Sequence, residues 1–352
     1  MVKIGIARQR QAHLAKLIPS RYYFYGLGDF TMRRAGIAFL LAWLATSAAT
    51  AAEPASCALK LVNSIPLTMA GGGVRPLVPV VINGTEKKFL LDTGGYATQI
   101  TAAAAQQLKL PSTESDIKLL DLYGNASTMA AKVDTLMLGR LQDKNTILPI
   151  MPGSSSKDVG DEPLFVGLLA ADYMGKYDVE LDFSGGKINY FSADHCPGKV
   201  VYWPAAAVAV VPMRFPDHHV ILDVNLDGHP QRAILDTGAT RTTISMAEAK
   251  RVFDITAEDK DKPFEHVFQK LSFEGLEVGN PHIFVIPDKV GSKDPNNSMI
   301  TGSRLRRIDD ADPTEPRMLI GMNILSKLRL YIAFSENKIY VTPGAPLPSP
   351  AQ

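Results

Sequence analysis

Apolar residues come in short runs broken by glycine, asparagine and aspartate, and one succession of runs occurs twice. The first copy is Leu77 to Ile82, then Asn83-Gly84, then Lys88 to Asp92. The second is Val220 to Leu226, then Asp227-Gly228, then Arg232 to Asp236. Such runs around Asn-Gly or Asp-Gly predict β-hairpins, because the two-residue turn needs left-handed backbone at both positions. A helix start follows each hairpin. Thr101 reads as an N-cap before Ala102 to Leu108, and Ser245-Met246-Ala247-Glu248 as a capping box before Ala249 to Val252.

A second pair of blocks closes each half. Gly167 to Met174 leads into Tyr177 to Phe183, a turn, and Lys187 to Tyr190; Leu319 to Leu325 leads into Leu328 to Phe334, a turn, and Lys338 to Tyr340. The hairpins are 144 residues apart and the late blocks 151, so the second half is longer, and the polar stretch 291–316 is the natural place for the excess. Two copies are too few for a solenoid. They predict an all-β chain of two pseudo-twofold-related, β-barrel-like lobes with short helices. The expected limits are a leader over 1–52, a first lobe over 53–196, a connector over 197–216 rich in proline, a second lobe over 217–345 and a tail over 346–352.

The leader changes the picture of the charge. The whole chain is balanced, with 37 Lys+Arg against 36 Asp+Glu, but residues 1–52 carry seven basic residues and only Asp29 as an acid. Arg33-Arg34, the apolar Gly36 to Leu44 and the small residues Ala49-Thr50-Ala51 form a secretory signal pattern starting at Met32, which predicts a mature chain from about Glu53. Residues 1–31 sit awkwardly before it and suggest a start at Met32 rather than Met1. Export implies a periplasmic or secreted protein without a stable membrane anchor once the signal is cut. It also puts Cys57 and Cys196, the only two cysteines, where a disulfide between them persists. Lipidation of Cys57 and a thiol nucleophile both lack their local signatures. The remaining body is mildly acidic and has no basic stripe for nucleic acid.

The chemistry lies where each hairpin ends. Asp92-Thr93-Gly94 and Asp236-Thr237-Gly238 occupy matched places, so a twofold axis can bring both carboxylates together. Carboxylates in contact share a proton, and the pair can then act as general base on a water and general acid on a carbonyl. Gly94 and Gly238 permit a tight turn, and the Thr93 and Thr237 hydroxyls can hold the two loops to each other.

With these motifs the sequence resembles the retropepsin-like aspartic proteases of the bacterial, exported, two-lobed kind. The resemblance spans about residues 77–341 and rests on Leu91 to Gly95, Leu235 to Ala239, Leu168-Leu169-Ala170 and Leu319-Ile320-Gly321. It implies an aspartic endopeptidase with Asp92 and Asp236 as catalytic residues, no metal and no organic cofactor. An extended peptide or protein substrate would lie between the lobes, and one chain can suffice as the active unit. It also implies a hairpin flap, for which Leu120 to Ala126 with Tyr123-Gly124 at the tip is the candidate. Two positions depart from the family pattern, Gly95 and Ala170, both in the first lobe. They motivate an alternative, a weak or inactive peptide-binding relative that keeps the cleft. His218-His219 reads as a surface or strand-start pair rather than a metal site, and Asp178, Asp182 and Asp223 as solvent-facing positions of alternating strands. Gly71-Gly72-Gly73 reads as a flexible entry to the first lobe.

Overall fold

The computed structural model describes residues 3–6, 58–120, 126–151, 164–259, 262–287 and 316–345. Both predicted hairpins are present. Arg75–Ile82 pairs with Thr85–Asp92, and Ile221–Leu226 with His229–Leu235. Their turn residues Asn83, Gly84, Asp227 and Gly228 all have positive φ, as that tight turn requires. Each second hairpin strand then takes a parallel neighbour from the late block of its own half. Gly167–Ala170 lies beside Thr85–Asp92 with Ala170 opposite Asp92, and Met318–Ile320 lies beside His229–Leu235. Parallel pairing requires a long crossover, so the late block threads back through its lobe and supports the strand that carries the aspartate. Gly71-Gly72-Gly73 is a tight turn between Thr68–Ala70 and Arg75–Ile82, all at positive φ, rather than a free entry.

The two helix starts are as expected. The Thr101 hydroxyl accepts from the Ala104 N–H at the head of Ala102–Gln107, and the Ser245 hydroxyl from Glu248 at the head of Met246–Phe253. The capping box is only half formed. The Ser245 N–H bonds the Arg317 carbonyl, and the Glu248 carboxylate pairs with Arg251 instead of reaching back.

The halves share a sheet. Leu61–Pro66, Lys187–Phe191 and Asp178–Asp182 from the first half continue through Leu328–Ala333 and Lys338–Pro343 of the second to Ala209–Arg214. Each half gives three strands, and the junction is the antiparallel pair Val179↔Ile332 to Asp182↔Arg329. The stretch predicted as connector therefore contains a strand. Prolines 204, 212 and 216 read as a linker, yet Pro212 faces outward in a run where Ala209, Val211 and Met213 point into the core. Lys3–Ile6 forms a further strand, paired with Leu276–Gly279.

Asp178 and Asp182 correct the sequence expectation. Both are buried, as is Glu180 between them, while Asp223 is exposed as expected and is also paired with Arg214. The segment 195–203 covers this face of the shared sheet, placing Val200 against Phe191, Tyr331, Ala333 and Tyr340. The acids are buried because every one is paired. Asp178 meets His195 and Ser335, Glu180 meets Tyr202, Asn189 and Arg329, and Asp182 accepts from Gly185 and lies by Arg329. Arg329 in turn stacks on Trp203, its guanidinium 4.2 Å from the ring centroid.

The His195–Asp178 pair gives this strap a pH signature. Burial alone lowers the His195 pKa, but Asp178 and the Cys196 carbonyl outweigh it and hold the imidazole above its ordinary value. The folded state then binds the proton more tightly than the unfolded chain. Its stabilisation is complete below the unfolded value of about 6.5 and is lost as pH rises through the raised one. Thermal melts should show Tm dropping by about 2–4 °C over that window, and His195→Gln should flatten the drop. An unchanged pH slope in the variant would refute the assignment.

Candidate active site

The tips of the two parallel-supported strands meet. The Thr93 N–H donates to the Thr237 hydroxyl at 3.0 Å, and the Thr237 N–H donates to the Thr93 hydroxyl at 3.0 Å. Each hydroxyl then donates across the axis to a strand carbonyl, Thr93 to Leu235 at 2.6 Å and Thr237 to Leu91 at 2.8 Å. All four bonds join residues of different lobes, and both threonines are fully buried. The lattice is reciprocal and uses each hydroxyl as both donor and acceptor, so it fixes one loop relative to the other.

That lattice sets Asp92 beside Asp236. Their carboxyl groups hydrogen-bond one another, and both are buried. The loops pack so closely that a Cβ on Gly94 would lie 2.6 Å from both Asp236 carboxyl oxygens, and one on Gly238 would strike the Asp92 carboxyl in the same way. Neither glycine is needed for positive φ; both are needed for space. Backbone donors orient the acids. Gly94 N–H bonds Asp92 Oδ1 at 3.1 Å, while Gly238 and Ala239 N–H both bond Asp236 Oδ1, at 2.8 and 3.0 Å. Burial first, and then the neighbouring Asp236 carboxylate, push the Asp92 carboxyl well above the usual carboxylate range.

Residues 78–173 match the family model described as aspartyl protease. The matched stretch holds the first Asp-Thr-Gly, at Asp92, and the strand Gly167–Ala170 that supports it; the second Asp-Thr-Gly, at Asp236, lies outside it. No curated protein matches the chain. Among solved structures, the aspartic proteinase from Irpex lacteus is similar at 14% identity and a TM-score of 0.45, covering 80% of this chain and 97% of that one. Basic 7S globulin from soybean is similar at 8% identity and a TM-score of 0.43, covering 81% and 95%.

The two departures from the aspartyl protease pattern prove to be neighbours. A Cβ on Gly95 would lie 3.1 Å from Asp92 Oδ2 and 3.4 Å from the Ala170 methyl. In the second lobe the methyl is on Ala239 and the bare position is Gly321, where a Cβ would come within 2.9 Å of the Ala239 carbonyl and closer still to that of Arg241. Each lobe thus has one methyl and one glycine, placed oppositely. Gly95→Ala should cost about 1–3 kcal/mol by overpacking, because the added methyl presses on the Asp92 carboxyl, and adding Ala170→Gly should recover little of it, because the Ala170 methyl is at ordinary contact distance. A double variant that regains the wild-type melting temperature would refute this.

The other expected site residues are placed as follows. Tyr123 and Gly124 lie outside the described residues, although the strands on either side, Ser112–Leu120 and Ala126–Leu138, pair as a hairpin with Leu120 opposite Ala126. Cys57 also lies outside, so its bridge to Cys196 stays an expectation. The same holds for the signal segment and for 288–315, which includes most of the predicted insertion. His219 is buried, and His218 Nδ1 lies 3.2 Å from the Tyr96 carbonyl, a link from the second lobe to the loop after Asp92. Sequence reasoning missed Thr98, Asp172, Thr242 and Asn323, which tie each Asp-Thr-Gly loop to its late block. A signal existed: each threonine falls six residues after its aspartate, and Asp172 and Asn323 hold matched places in the late blocks.

Proposed function

We propose that the chain is an aspartic endopeptidase in which Asp92 and Asp236 activate water between them. The observation that carries this is the reciprocal Thr93–Thr237 lattice holding two buried, mutually hydrogen-bonded carboxyls. The raised Asp92 carboxyl carries the proton that the pair shares, and backbone N–H groups orient both acids. Asp236 takes a proton from water as the oxygen attacks a peptide carbonyl carbon, and Asp92 gives its proton to the carbonyl oxygen. The tetrahedral intermediate collapses when Asp236, now protonated, gives its proton to the amide nitrogen and the C–N bond breaks, while Asp92 takes back a proton from a hydroxyl of the intermediate as the carboxyl product forms.

Cleavage of a mixed peptide library from acid to neutral pH tests the reading. Activity should fall as pH rises through the raised Asp92 pKa, because the general acid is then lost. No turnover at any pH, with peptide still bound, would instead support a binding protein. We further propose export through the Met32 signal, with a Cys57–Cys196 bridge; amino-terminal sequencing of protein made with its own leader should read from about Glu53.

A further inference from the structure

Behind each aspartate lies a second hydrogen-bonded frame that the water-activating chemistry does not use. In the first lobe the Asp172 carboxylate accepts the Thr98 N–H at 2.9 Å, the Thr98 hydroxyl at 2.6 Å and the Tyr173 N–H at 2.9 Å. The same Thr98 oxygen accepts the Ala170 N–H at 3.0 Å. Ala170 is the residue opposite Asp92 in the parallel pair, and its methyl faces Gly95. The chain of contacts therefore runs from Asp172 through one hydroxyl to the backbone alongside Asp92.

The second lobe repeats it with a different residue. Asn323 Oδ1 accepts both the N–H and the hydroxyl of Thr242, each at 2.8 Å, and Thr242 Oγ1 accepts the Gly321 N–H at 3.1 Å. Gly321 follows Ile320, whose carbonyl accepts the Asp236 N–H at 3.0 Å. Asn323 spends its amide on the His282 carbonyl at 3.2 Å. The two threonines are buried, so neither hydroxyl has water as an easy substitute. A hydroxyl that donates to a fixed oxygen and accepts from a fixed N–H has no rotational freedom left. It therefore locks the strand end to the loop that follows the aspartate.

We infer that Asp172 and Asn323 are a matched pair of positioning residues, each holding its lobe's aspartate at the separation that proton sharing requires, by way of Thr98 and Thr242. The inference rests on reading Asp92 and Asp236 as a proton-sharing pair. It makes the first-lobe acid replaceable by its second-lobe counterpart. Asn at 172 offers one oxygen to both Thr98 donors, as Asn323 does, whereas Ala offers none.

The test is a carboxyl-carbon NMR titration of the full chain, following the upper Asp92/Asp236 transition in wild type, Asp172→Ala, Asp172→Asn, Thr98→Val and Thr98→Ser. Asp172→Ala and Thr98→Val should lower that transition by about one unit or more, while Asp172→Asn and Thr98→Ser keep it. Peptide cleavage, read in parallel, should lose kcat by about 100-fold in the first two with KM nearly unchanged. A raised transition that survives in every variant overturns the inference and leaves the dyad standing. A fall in Asp172→Asn equal to that in Asp172→Ala overturns it too, because charge and not the frame would be the cause. A wild type with no raised transition overturns the proton-sharing reading and the inference with it. Should Asp172→Ala not fold, Thr98→Val against Thr98→Ser decides the matter alone.

Discussion

Asp92→Asn and Asp236→Asn should each abolish peptide cleavage, lowering kcat by at least about 1,000-fold, while both proteins fold. The size follows from the proposed division of labour, in which one acid takes the proton of water and the other donates to the carbonyl. Losing either leaves nothing for its partner to work with, so the double variant is no worse than the single ones. The two changes part company in stability. The Asp92 pKa is raised in the folded state, so folding holds its proton more tightly than the unfolded chain does. That contribution is greatest below the unfolded value of about 4 and declines as pH rises through the raised one. At neutral pH the buried pair is therefore a cost, and Asp92→Asn should melt higher than wild type. Peptide turnover and calorimetry at two pH values check both parts. Retained turnover in both single variants would sink the dyad, and a lower neutral-pH Tm for Asp92→Asn would sink the pKa argument.

Gly238→Ala gives the second large effect, loss of turnover together with a marked loss of stability. The added Cβ would overlap the Asp92 carboxyl, which cannot retreat because the Thr93–Thr237 lattice holds the loops together. Overpacking at a site without slack costs about 3 kcal/mol or more, and whatever relief occurs must move Asp92 itself. Gly94→Ala should behave alike, because its Cβ meets Asp236 in the mirrored way. Gly95→Ala is the milder comparison: its methyl also meets the Asp92 carboxyl, but at 3.1 Å rather than in overlap, so its effect should be smaller. Full activity in Gly238→Ala would show that the loops are looser than the lattice implies.

The repeat made much of this legible. Hairpins, N-caps and parallel-strand supports follow from local pattern, and local pattern occurred twice in the same order. The pairing of Asp92 with Asp236 was legible for the same reason. What was not legible depends on partners far along the chain. Asp178 and Asp182 alternate with apolar residues as exposed positions do, and only the covering strap, with His195 and Tyr202, turns their face inward. Ala209–Arg214 was hidden by prolines that a strand tolerates when they face outward. Gly95 and Ala170 are 75 residues apart in sequence, and only the pairing of Ala170 with Asp92 shows them to be neighbours.

The six-stranded sheet to which each half gives three strands has a consequence for how such a chain can change. Were the two halves separate copies of one polypeptide, every substitution near the axis would appear on both sides at once, as symmetry demands. A bulky change tolerated on one side would have to be tolerated on the other. Joining the halves in one chain lifts that constraint while the shared sheet keeps them in register. The two sides have used the freedom: methyl and glycine have traded places between Gly95/Ala170 and Ala239/Gly321, and a carboxylate at Asp172 faces an amide at Asn323. Covalent linkage thus lets a symmetric scaffold differ between its two sides, and gives the two aspartates the freedom to take different parts.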